Sequence, residues 1–343
     1  MAERTLTQRE LNRALLARQL LLERARLTIP RALERLGGIQ NQYAPNAYIR
    51  LWSCLDRFER DDLTRALERR SAVQATLMRE TIHVVSRRDY WPFAVAIRAA
   101  QREWFLKTRR PAPKERELER TAEALRALLA DGPRTHEELV EFAGRGWGMV
   151  GPWLDLVRVP PSGTWERRRA HLFGSAESWV GPEETAEADA RDHLVRRYLA
   201  AFGPASRKDI ATWSHLRRGD LDPVLGRLSL RRFRDETGGE LLDVPRGALP
   251  DPEMPAPVRF LPTWDAVLLV HARRTGILPE QYRSRVFSTK MPQSIGTFLV
   301  DGSVAGTWKH TDGRVDWRPF ERLDRTMLQE VRDEADRLAE FHR

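Results

Sequence analysis

Three segments of the chain share one pattern: an amphipathic helix stops at a short break, and a Ser or Thr then begins the next helix. They cover residues 20–40, 124–144 and 198–216. Thr135 and Glu138 have the spacing of a capping box, in which each side chain bonds the other residue's backbone N–H. Ser206 and Asp209 repeat it more loosely. Because a helix, a tight turn and a capped second helix begin a helix-turn-helix, the chain is expected to contain three such units.

Basic hairpins are predicted after two of these segments. Residues 157–159 are expected to form a strand, and residues 165–169, rich in arginine, to return after a turn at 160–163. Residues 230–234 and 241–244 flank a Gly-Gly turn and predict the second hairpin. No hairpin is predicted after the first segment, where the sequence offers a single candidate strand over residues 81–85. A basic hairpin behind a helix-turn-helix is typical of a winged helix, although three ordinary helical hairpins would give a similar pattern.

The C-terminal third has a different character. Residues 250–262 are rich in proline and acidic residues and are interpreted as a linker, and residues 266–270 are predicted to form a buried strand. Two Asp-Gly turns then predict a β-meander, curled into a small barrel. Apolar residues at helical spacing predict a closing helix, and they are Leu323, Met327, Val331 and Leu338.

The predicted fold class is therefore α+β, with three tandem winged-helix units, a C-terminal β-meander or barrel-like element and a closing helix. A chain of 343 residues is long enough for several domains, each with its own core. The expected domains are winged helix 1 with a glutamine motif (1–110), winged helix 2 with a basic wing (111–188), winged helix 3 (189–250) and the β-meander with the closing helix (251–343).

The net charge of +9 and the sequence pI of about 10.2 point to a polyanionic partner. Arginine dominates the basic residues, and its planar guanidinium suits phosphate. An arginine-rich genome would explain the ratio of arginine to lysine, but it explains the positive net charge less well. Nucleic acid is therefore the expected partner.

Several other classes of protein are disfavoured. No apolar run approaches the roughly 18 residues that span a bilayer, and the first residues lack the apolar core of a signal peptide, so a cytoplasmic protein without membrane contact is expected. The single cysteine, Cys54, follows Trp52 in an apolar stretch and is interpreted as a core residue. Because the sequence has no phosphate-binding loop, dinucleotide fingerprint or metal-ligand cluster, neither a cofactor nor a metal is expected.

Residues 37–45, Gly-Gly-Ile-Gln-Asn-Gln-Tyr-Ala-Pro, form the most unusual stretch. Two glycines let the backbone turn sharply or approach a ligand closely. Three consecutive amide side chains offer donors and acceptors without a charge to desolvate. The alternative is a polar turn that merely joins two helices.

Residues 36–55, LGGIQNQYAPNAYIRLWSCL, resemble the signature of the AlkZ/YcaQ-like DNA glycosylases, a winged-helix family that includes azinomycin-resistance and crosslink-unhooking enzymes. Further matches lie at residues 78–83, 273–287, 300–302 and 306–308. The resemblance implies three winged helices gathered around a barrel-like element into a C-shaped DNA channel. It also implies a monofunctional glycosylase that removes alkylated purines from double-stranded DNA, and a self-contained array of this kind is expected to be a monomer.

The catalytic pattern of that family is Gln, an apolar residue, then Gln or Asp. Gln40 and Gln42 match its ends, and the resemblance implies that they are the catalytic residues. Asn41 departs from the pattern at the middle position, whose side chain is expected to point away from the lesion. With a purine already charged by N7 alkylation, neutral amide oxygens suffice to hold a water and to stabilise an oxocarbenium ion.

Further site residues are expected around this motif. Thr81 and His83 share one face of the candidate strand, although a structural role for His83 is an alternative. The expected lesion-proximal residues are Asn41, Tyr43, Arg79, Thr81 and His83. The candidate phosphate contacts are Arg158, Arg167, Arg168, Arg169, Arg273, Arg274, Arg283, Arg285 and Lys290. The competing hypotheses are a winged-helix transcriptional regulator, which would bind intact DNA tightly, and a lesion sensor without catalysis.

Overall fold

The structure, a computed structural model, describes residues 4–169, 171–269, 276–287 and 295–343. Its mixture of helices and sheets confirms the predicted α+β class. The α-helices are α1 (Gln8–Arg18), α2 (Ile29–Leu36), α3 (Pro45–Cys54), α4 (Arg60–Glu68), α5 (Arg87–Thr108), α6 (Glu115–Ala130), α7 (His136–Ala143), α8 (Ala176–Val180), α9 (Glu187–Phe202), α10 (Arg207–Ser214), α11 (Arg218–Arg227), α12 (Arg283–Val286) and α13 (Arg325–His342). The strands are β1 (Thr5–Leu6), β2 (Ile39–Gln40), β3 (Ala72–Thr76), β4 (Ile82–Ser86), β5 (Arg134–Thr135), β6 (Leu156–Arg158), β7 (Leu172–Ser175), β8 (Arg231–Asp235), β9 (Glu240–Asp243), β10 (Arg259–Leu261), β11 (Gly296–Val300), β12 (Ser303–Thr311) and β13 (Arg314–Pro319).

The helix starts predicted from capping residues are confirmed. Thr135 caps α7 and Ser206 caps α10, each in a reciprocal capping box with the acidic residue three positions on. Thr28 also lies at the cap of α2, but its side chain makes no cap hydrogen bond, and a proline in the first turn starts that helix instead. The repeated pattern therefore marks real pairs of helices in the second and third segments. In the first segment the predicted helix before Thr28 is wrong, because α1 ends at Arg18 and residues 19–28 form no helix.

The largest sheet joins the first two predicted units. Its six strands lie in the order β2-β4-β3-β6-β7-β5, and β3 pairs antiparallel with β6, where Gln74 lies opposite Arg158. The sequence predicted β6 and β7 as a wing of the second unit alone. The structure shows that this hairpin extends the sheet formed by β2, β4 and β3. Pairing with β6 covers the edge of β3, which would otherwise have unpaired backbone groups.

The segment between β6 and β7, residues 160–169, is called the wing loop. The predicted returning arm over residues 165–169 is wrong, because these residues form bends and no strand. Gly163 turns the backbone at a φ of +74°, and its N–H donates to the Arg167 carbonyl over 2.8 Å. The Ser162 hydroxyl accepts from the backbone N–H of His171 over 2.6 Å. The wing loop is thus a compact loop closed by its own hydrogen bonds.

The second predicted hairpin is confirmed as β8 and β9, which pair antiparallel. Strand β1 pairs parallel with the outer side of β8, a contact that local sequence patterns did not indicate. Leu6 from β1 is buried together with Phe233 and Leu241 in a small apolar cluster. The hairpin β8–β9 is therefore covered at one edge by the N-terminal segment of the chain.

A four-stranded antiparallel sheet in the order β10-β11-β12-β13 forms the C-terminal part and confirms the predicted meander. Both Asp-Gly turns have positive φ at both residues, as two-residue hairpin turns require. Two boundaries were wrong: Arg259–Leu261, inside the predicted linker, is strand β10, and Ala266–Leu268, predicted as strand, is a 3-10 helix. The helix starts there because the Asp265 carboxylate accepts from Val267 N–H over 3.0 Å. Val270 lies outside the described residues.

The closing helix α13 packs across the C-terminal sheet and the first unit. Val331 and Leu338 are fully buried, as predicted, whereas Leu323 precedes the helix. Its Phe341 ring lies 5.9 Å from Trp52 and 5.5 Å from Trp165. Cys54 is a buried free thiol in the same core, as the sequence predicted. Within the described ranges, no helix is both long and apolar enough to cross a membrane.

Candidate active site

The backbone around the glutamine motif is shaped by two glycines. Gly37 ends α2 at a φ of +72°, and Gly38 follows at +83°. A Cβ on Gly38 would lie 2.9 Å from a methyl of Val85, so the chain passes β4 more closely than any side chain would allow. It then enters β2, whose Gln40 pairs with His83 of β4. Because residues opposite each other on paired strands point to one face, Gln40 and His83 share that face.

The side chain of Gln40 is buried, with 6% of its surface exposed. Its Oε1 accepts a hydrogen bond from Arg79 Nη2 over 2.5 Å. Only an oxygen can accept from a guanidinium, so this contact fixes which way the Gln40 amide points. The second lone pair of the same oxygen remains available to a further donor such as water.

Arg79 is held in an unusual backbone conformation, in the turn between β3 and β4. Arg79 and the next residue, Glu80, have φ values of 56° and 53°, a left-handed conformation that side chains rarely adopt. Burial lowers the pKa of Arg79 to about 10, which still leaves the guanidinium charged at neutral pH. Its Nη1 is buried and makes no hydrogen bond within the described part of the chain. Strain and a buried charge that forms no ion pair with the described residues make this turn a candidate for a functional role.

Gln42 is exposed and is fixed by a backbone donor. Its Oε1 accepts from Ile82 N–H over 2.7 Å, while Asn41 N–H donates to the Ile82 carbonyl over 2.7 Å. The Gln42 side chain thereby continues the ladder between β2 and β4 beyond the end of β2. As with Gln40, the amide orientation is set and one acceptor lone pair is left over.

Asn41 has a local structural contact. Its side chain is 2% exposed, and its Oδ1 accepts from Ala47 N–H over 3.0 Å in the first turn of α3. The first N–H groups of a helix lack partners in the helix itself, so this bond satisfies one of them. An aliphatic residue at this position would leave that donor unpaired.

His83 is buried beside Gln40 and is electrically neutral. Burial, followed by the nearby charge of Arg79, lowers the pKa of His83 from 6.5 to about 3. Its Nδ1 lies 3.0 Å from the carbonyl oxygen of Thr81, which assigns the ring proton to Nδ1 and leaves Nε2 as an acceptor. The Thr81 hydroxyl donates to the Met78 carbonyl over 2.9 Å. The site therefore presents neutral acceptors next to the guanidinium of Arg79.

The wing loop brings arginine to the motif. Tyr43 is 47% exposed, and its hydroxyl accepts from Arg168 Nη1 over 2.6 Å. The Arg168 guanidinium also lies 5.5 Å from the ring of Trp165, which packs edge-on against Tyr48 of α3. This link between the second unit and the motif was not predicted, although a tryptophan within an arginine run is a signal for such an anchor.

The predicted phosphate contacts fall into distinct environments. Arg167, Arg168 and Arg169 are exposed on the wing loop, whereas Arg158 is half-buried with its guanidinium 5.7 Å from the Phe173 ring. Arg283 and Arg285 are exposed on α12. Arg273, Arg274 and Lys290 lie outside the described residues.

A buried polar network behind Gln40 was also missed. Arg50 Nε lies 3.0 Å from the Asp265 carboxylate, and Arg50 Nη2 donates to Gln19 Oε1 over 3.0 Å. These residues and Gln40 line one small polar cavity. Three distant parts of the chain meet there, so no local pattern signalled it. Among the described side chains, no cluster of three His, Cys, Asp or Glu residues has the arrangement of a metal site.

A family model described as DNA glycosylase AlkZ-like matches residues 33–341, which include the whole glutamine motif. The chain belongs to the AlkZ-like DNA glycosylase family. The resemblance that the sequence indicated is thereby confirmed, and this AlkZ-like protein is an enzyme that acts on DNA. That assignment disfavours the regulator hypothesis.

Two relatives agree with the family match. The interstrand DNA cross-link repair glycosylase of Streptomyces sahachiroi is 24% identical to this AlkZ-like chain, with 94% of this chain and 93% of the relative aligned. The solved structure of Streptomyces sahachiroi DNA glycosylase AlkZ has a TM-score of 0.82 at 20% identity, covering 98% of this chain and 97% of that one. The AlkZ-like fold therefore extends over nearly the full length of both proteins.

Proposed function

We propose that this enzyme is a monofunctional glycosylase that hydrolyses the N-glycosidic bond of N7-alkylated purines in double-stranded DNA. The observation that carries the proposal is the geometry of two amides. Gln40 and Gln42 are each locked by an N–H donor, Arg79 Nη2 and Ile82 N–H, and each keeps an acceptor lone pair. Preorganised acceptors of this kind suit a water nucleophile and a developing positive charge.

In the proposed reaction, Gln40 and Gln42 accept hydrogen bonds from one water and direct its oxygen at C1′ of the damaged nucleotide. As the C1′–N9 bond breaks, its electron pair moves to the base and neutralises the charge that N7 alkylation created. The sugar passes through an oxocarbenium-like state, to which the amide dipoles turn their negative ends. Water then forms the new C1′–O bond and loses a proton to solvent, so no lysine and no Schiff base is required.

Arg79 acts in this scheme as a positioning residue. A cation close to a sugar that becomes positive is unfavourable by Coulomb's law, so its benefit must come from fixing Gln40 and from attracting backbone phosphate. The neutral state of His83 fits the same requirement, because a second cation at that point would oppose the reaction. Asn41, Tyr43 and Thr81 are proposed to lie near the lesion through their contacts with the motif.

DNA is proposed to be held by the exposed arginines of the wing loop and of α12, in a protein that acts as a monomer in the cytoplasm. One relative is named for interstrand cross-link repair, so bulky N7 adducts and crosslinks are proposed substrates beside simple methyl adducts. A site on an open surface accommodates such lesions, since Gln42 and Tyr43 are exposed.

We further propose that the helix pairs and hairpins form three winged-helix units with boundaries near residues 110, 188 and 250. The reciprocal capping boxes of α7 and α10 and the hairpins β6–β7 and β8–β9 support this division. The C-terminal sheet with α13 is proposed to be the barrel-like element against which the units pack.

The test is release of 7-methylguanine from duplex DNA by the purified enzyme, read as alkali-labile strand breaks. We expect Gln40→Ala and Gln42→Ala each to lower the single-turnover rate by roughly a hundredfold, about 2.7 kcal/mol, while DNA affinity stays within about twofold. Gln329→Ala is the matched control, because this glutamine is exposed on α13 and bonds only to Asp333 there. If the wild type releases neither 7-methylguanine nor a bulky N7 adduct, the substrate proposal fails.

A further inference from the structure

Two arginines from distant parts of the chain lie against one buried tryptophan. Arg60 begins α4, and its guanidinium lies 5.1 Å from the ring centroid of Trp165. Arg168 of the wing loop lies 5.5 Å from the same centroid. Because a tryptophan ring attracts a cation at such distances, Trp165 holds both guanidiniums close together. These two residues are called the arginine pair, and Arg60 was not among the predicted phosphate contacts.

The arginine pair has no counterion among the residues that the structure describes. The acidic residues next to Arg60 in the sequence have other partners. Glu59 and Asp62 form the capping box of α4, and Asp61 lies 3.7 Å from Arg65. Because like charges repel, two guanidiniums held side by side are stabilised by a bound anion.

A comparable stack elsewhere in the protein is neutralised. The Arg24 guanidinium lies 4.9 Å from the ring centroid of Trp52, and it forms an ion pair with Glu334. Its charge is therefore balanced within the chain. The arginine pair at Trp165 lacks such a carboxylate, which indicates an anionic partner outside the chain.

Two histidine rings next to Trp165 report on the local charge. The ring centroid of His342, in α13, lies 5.2 Å from that of Trp165, and His310 of β12 stacks on His342 at 4.1 Å. Burial is the main cause that lowers the pKa of His342 from 6.5 to about 4. The nearby His310, Arg168 and Arg60 lower it too. An additional positive charge is therefore unfavourable at this place, whereas an anion is favoured.

The arginine pair lies beside the glutamine motif. Arg168 donates to the hydroxyl of Tyr43, the residue after Gln42, over 2.6 Å. Trp165 packs edge-on against Tyr48 of α3, the helix that follows the motif. An anion bound to the arginine pair therefore lies next to the place where we propose that the damaged nucleotide binds.

We propose that Arg60 and Arg168 bind two neighbouring backbone phosphates of the DNA strand that passes the glutamine motif, and that Trp165 fixes both guanidiniums for this contact. One guanidinium binds one phosphate through two parallel hydrogen bonds, so two guanidiniums account for two phosphates. A planar group already held by a ring loses less conformational freedom when it binds. The inference rests on the proposed binding of DNA at the wing loop, and it adds the start of α4 to that surface.

The experiment measures the affinity of the full-length protein for undamaged duplex DNA by fluorescence anisotropy over a series of salt concentrations. Each phosphate contact contributes roughly 0.9 to the slope of log affinity against log salt. We expect Arg60→Met to lower this slope by about 0.9 and the affinity by about threefold to tenfold. Arg60→Lys restores the charge and should recover the slope. The double variant Arg60→Met, Arg168→Met should lower the slope by about 1.8.

Arg70→Met is the matched control. Arg70 follows the opposite end of α4, is exposed, and lies 4.1 Å from the ring centroid of Trp179. It forms no ion pair with the described residues, but it has no second cation on its tryptophan and is remote from the glutamine motif along α4. We expect its salt slope to stay within about 0.3 of the wild type. Thermal melting of each variant confirms that it is folded.

The outcomes separate this inference from the proposed function, because undamaged DNA requires no excision. An unchanged slope in Arg60→Met, or equal losses in Arg60→Met and Arg70→Met, would overturn the inference even if the wild type excises 7-methylguanine. A double variant that loses no more slope than Arg60→Met would contradict the assignment of two phosphates. The expected loss of slope in a protein that excises nothing would retain the phosphate site and reject the proposed function instead.

Discussion

The hairpins β6–β7 and β8–β9 follow one sequence pattern but differ in what their arginines contact. The wing loop of the first exposes Arg167, Arg168 and Arg169, and no ion pair joins them to the described residues. In the second, Arg232 forms an ion pair with Glu240. Arg232 of β8 is thus neutralised within its own hairpin, whereas the three arginines of the wing loop have no such ion pair.

The anchoring of the two hairpins differs as well. Strand β9 ends at Asp243, whose buried carboxylate takes two hydrogen bonds from Arg18 of α1, over 2.6 and 2.9 Å. The wing loop instead rests on Gln74 through Gly163 and on the first unit through Trp165. The comparison indicates that β8–β9 is a structural support, while the wing loop exposes charge beside the glutamine motif, where we propose that DNA binds.

The largest expected effect is on stability, from Asp243→Ala. Removing this carboxylate leaves the Arg18 charge buried without a counterion, which costs about 3–5 kcal/mol of unfolding free energy. Urea denaturation measures the loss, with Asp336→Ala on the exposed face of α13 as control, expected within about 0.5 kcal/mol of wild type. A loss below about 1 kcal/mol would mean that β8–β9 is not anchored in this way.

A smaller effect is expected from alanine at the turn glycines of the two hairpins. A Cβ on Gly163 would lie 2.6 Å from the Oε1 of buried Gln74, whereas one on Gly238 meets nothing within 4 Å. Both have positive φ, so Gly238→Ala should cost about 1 kcal/mol and Gly163→Ala about 2 kcal/mol. Denaturation curves measure both losses of unfolding free energy. Equal losses would show that the Gln74 side chain moves aside and does not hold the wing loop.

Measuring the affinity for undamaged duplex DNA compares the arginines of the wing loop with those of β8. The double variant Arg167→Ala, Arg168→Ala should bind about tenfold more weakly and lower the slope of log affinity against log salt by about 2. The matched variant Arg231→Ala, Arg232→Ala should change affinity by less than about twofold, because Arg232 is already neutralised by Glu240 and the half-buried Arg231 lies over the Phe233 ring. If both doubles weaken binding alike, DNA contacts the two hairpins equally.

The smallest expected effect is that of pH on excision of 7-methylguanine. With a pKa of about 3, His83 is neutral above that value, and the arginines of the wing loop stay charged. The rate should therefore vary by less than about twofold between about pH 6 and about pH 8. An inflection near the ordinary histidine pKa that disappears in His83→Gln would show instead that His83 titrates during catalysis.

The sequence predicted the elements of this fold better than their partners. The caps at Thr135 and Ser206 and the two Asp-Gly turns are specified by residues a few positions apart. Local sequence patterns were therefore enough to predict them. The failures involved distant contacts. The strand Arg259–Leu261 forms because β11 lies beside it, which no feature of a proline-rich stretch reveals.

The candidate site shows the same division. Gln40, Gln42 and Arg79 were identified from the motif and from the family resemblance, yet the donors that orient both amides lie about 40 residues further along the chain. Asn41 looked like a departure from the family pattern, and only its contact with Ala47 N–H explains it. The buried network of Arg50, Asp265 and Gln19 escaped prediction because its members come from three distant parts of the chain.

The sequence by itself determined the helix starts, the tight turns, the glycine-shaped backbone at the motif and the positive charge, since each depends on residues a few positions apart. Only the tertiary structure decided that the hairpin β6–β7 joins the sheet of β2, β3 and β4, which arginines form no ion pair and which polar groups are buried without partners. These properties depend on which residues are neighbours in space. Hydrogen bonding and desolvation act over a few ångströms, whatever the separation of the residues along the chain.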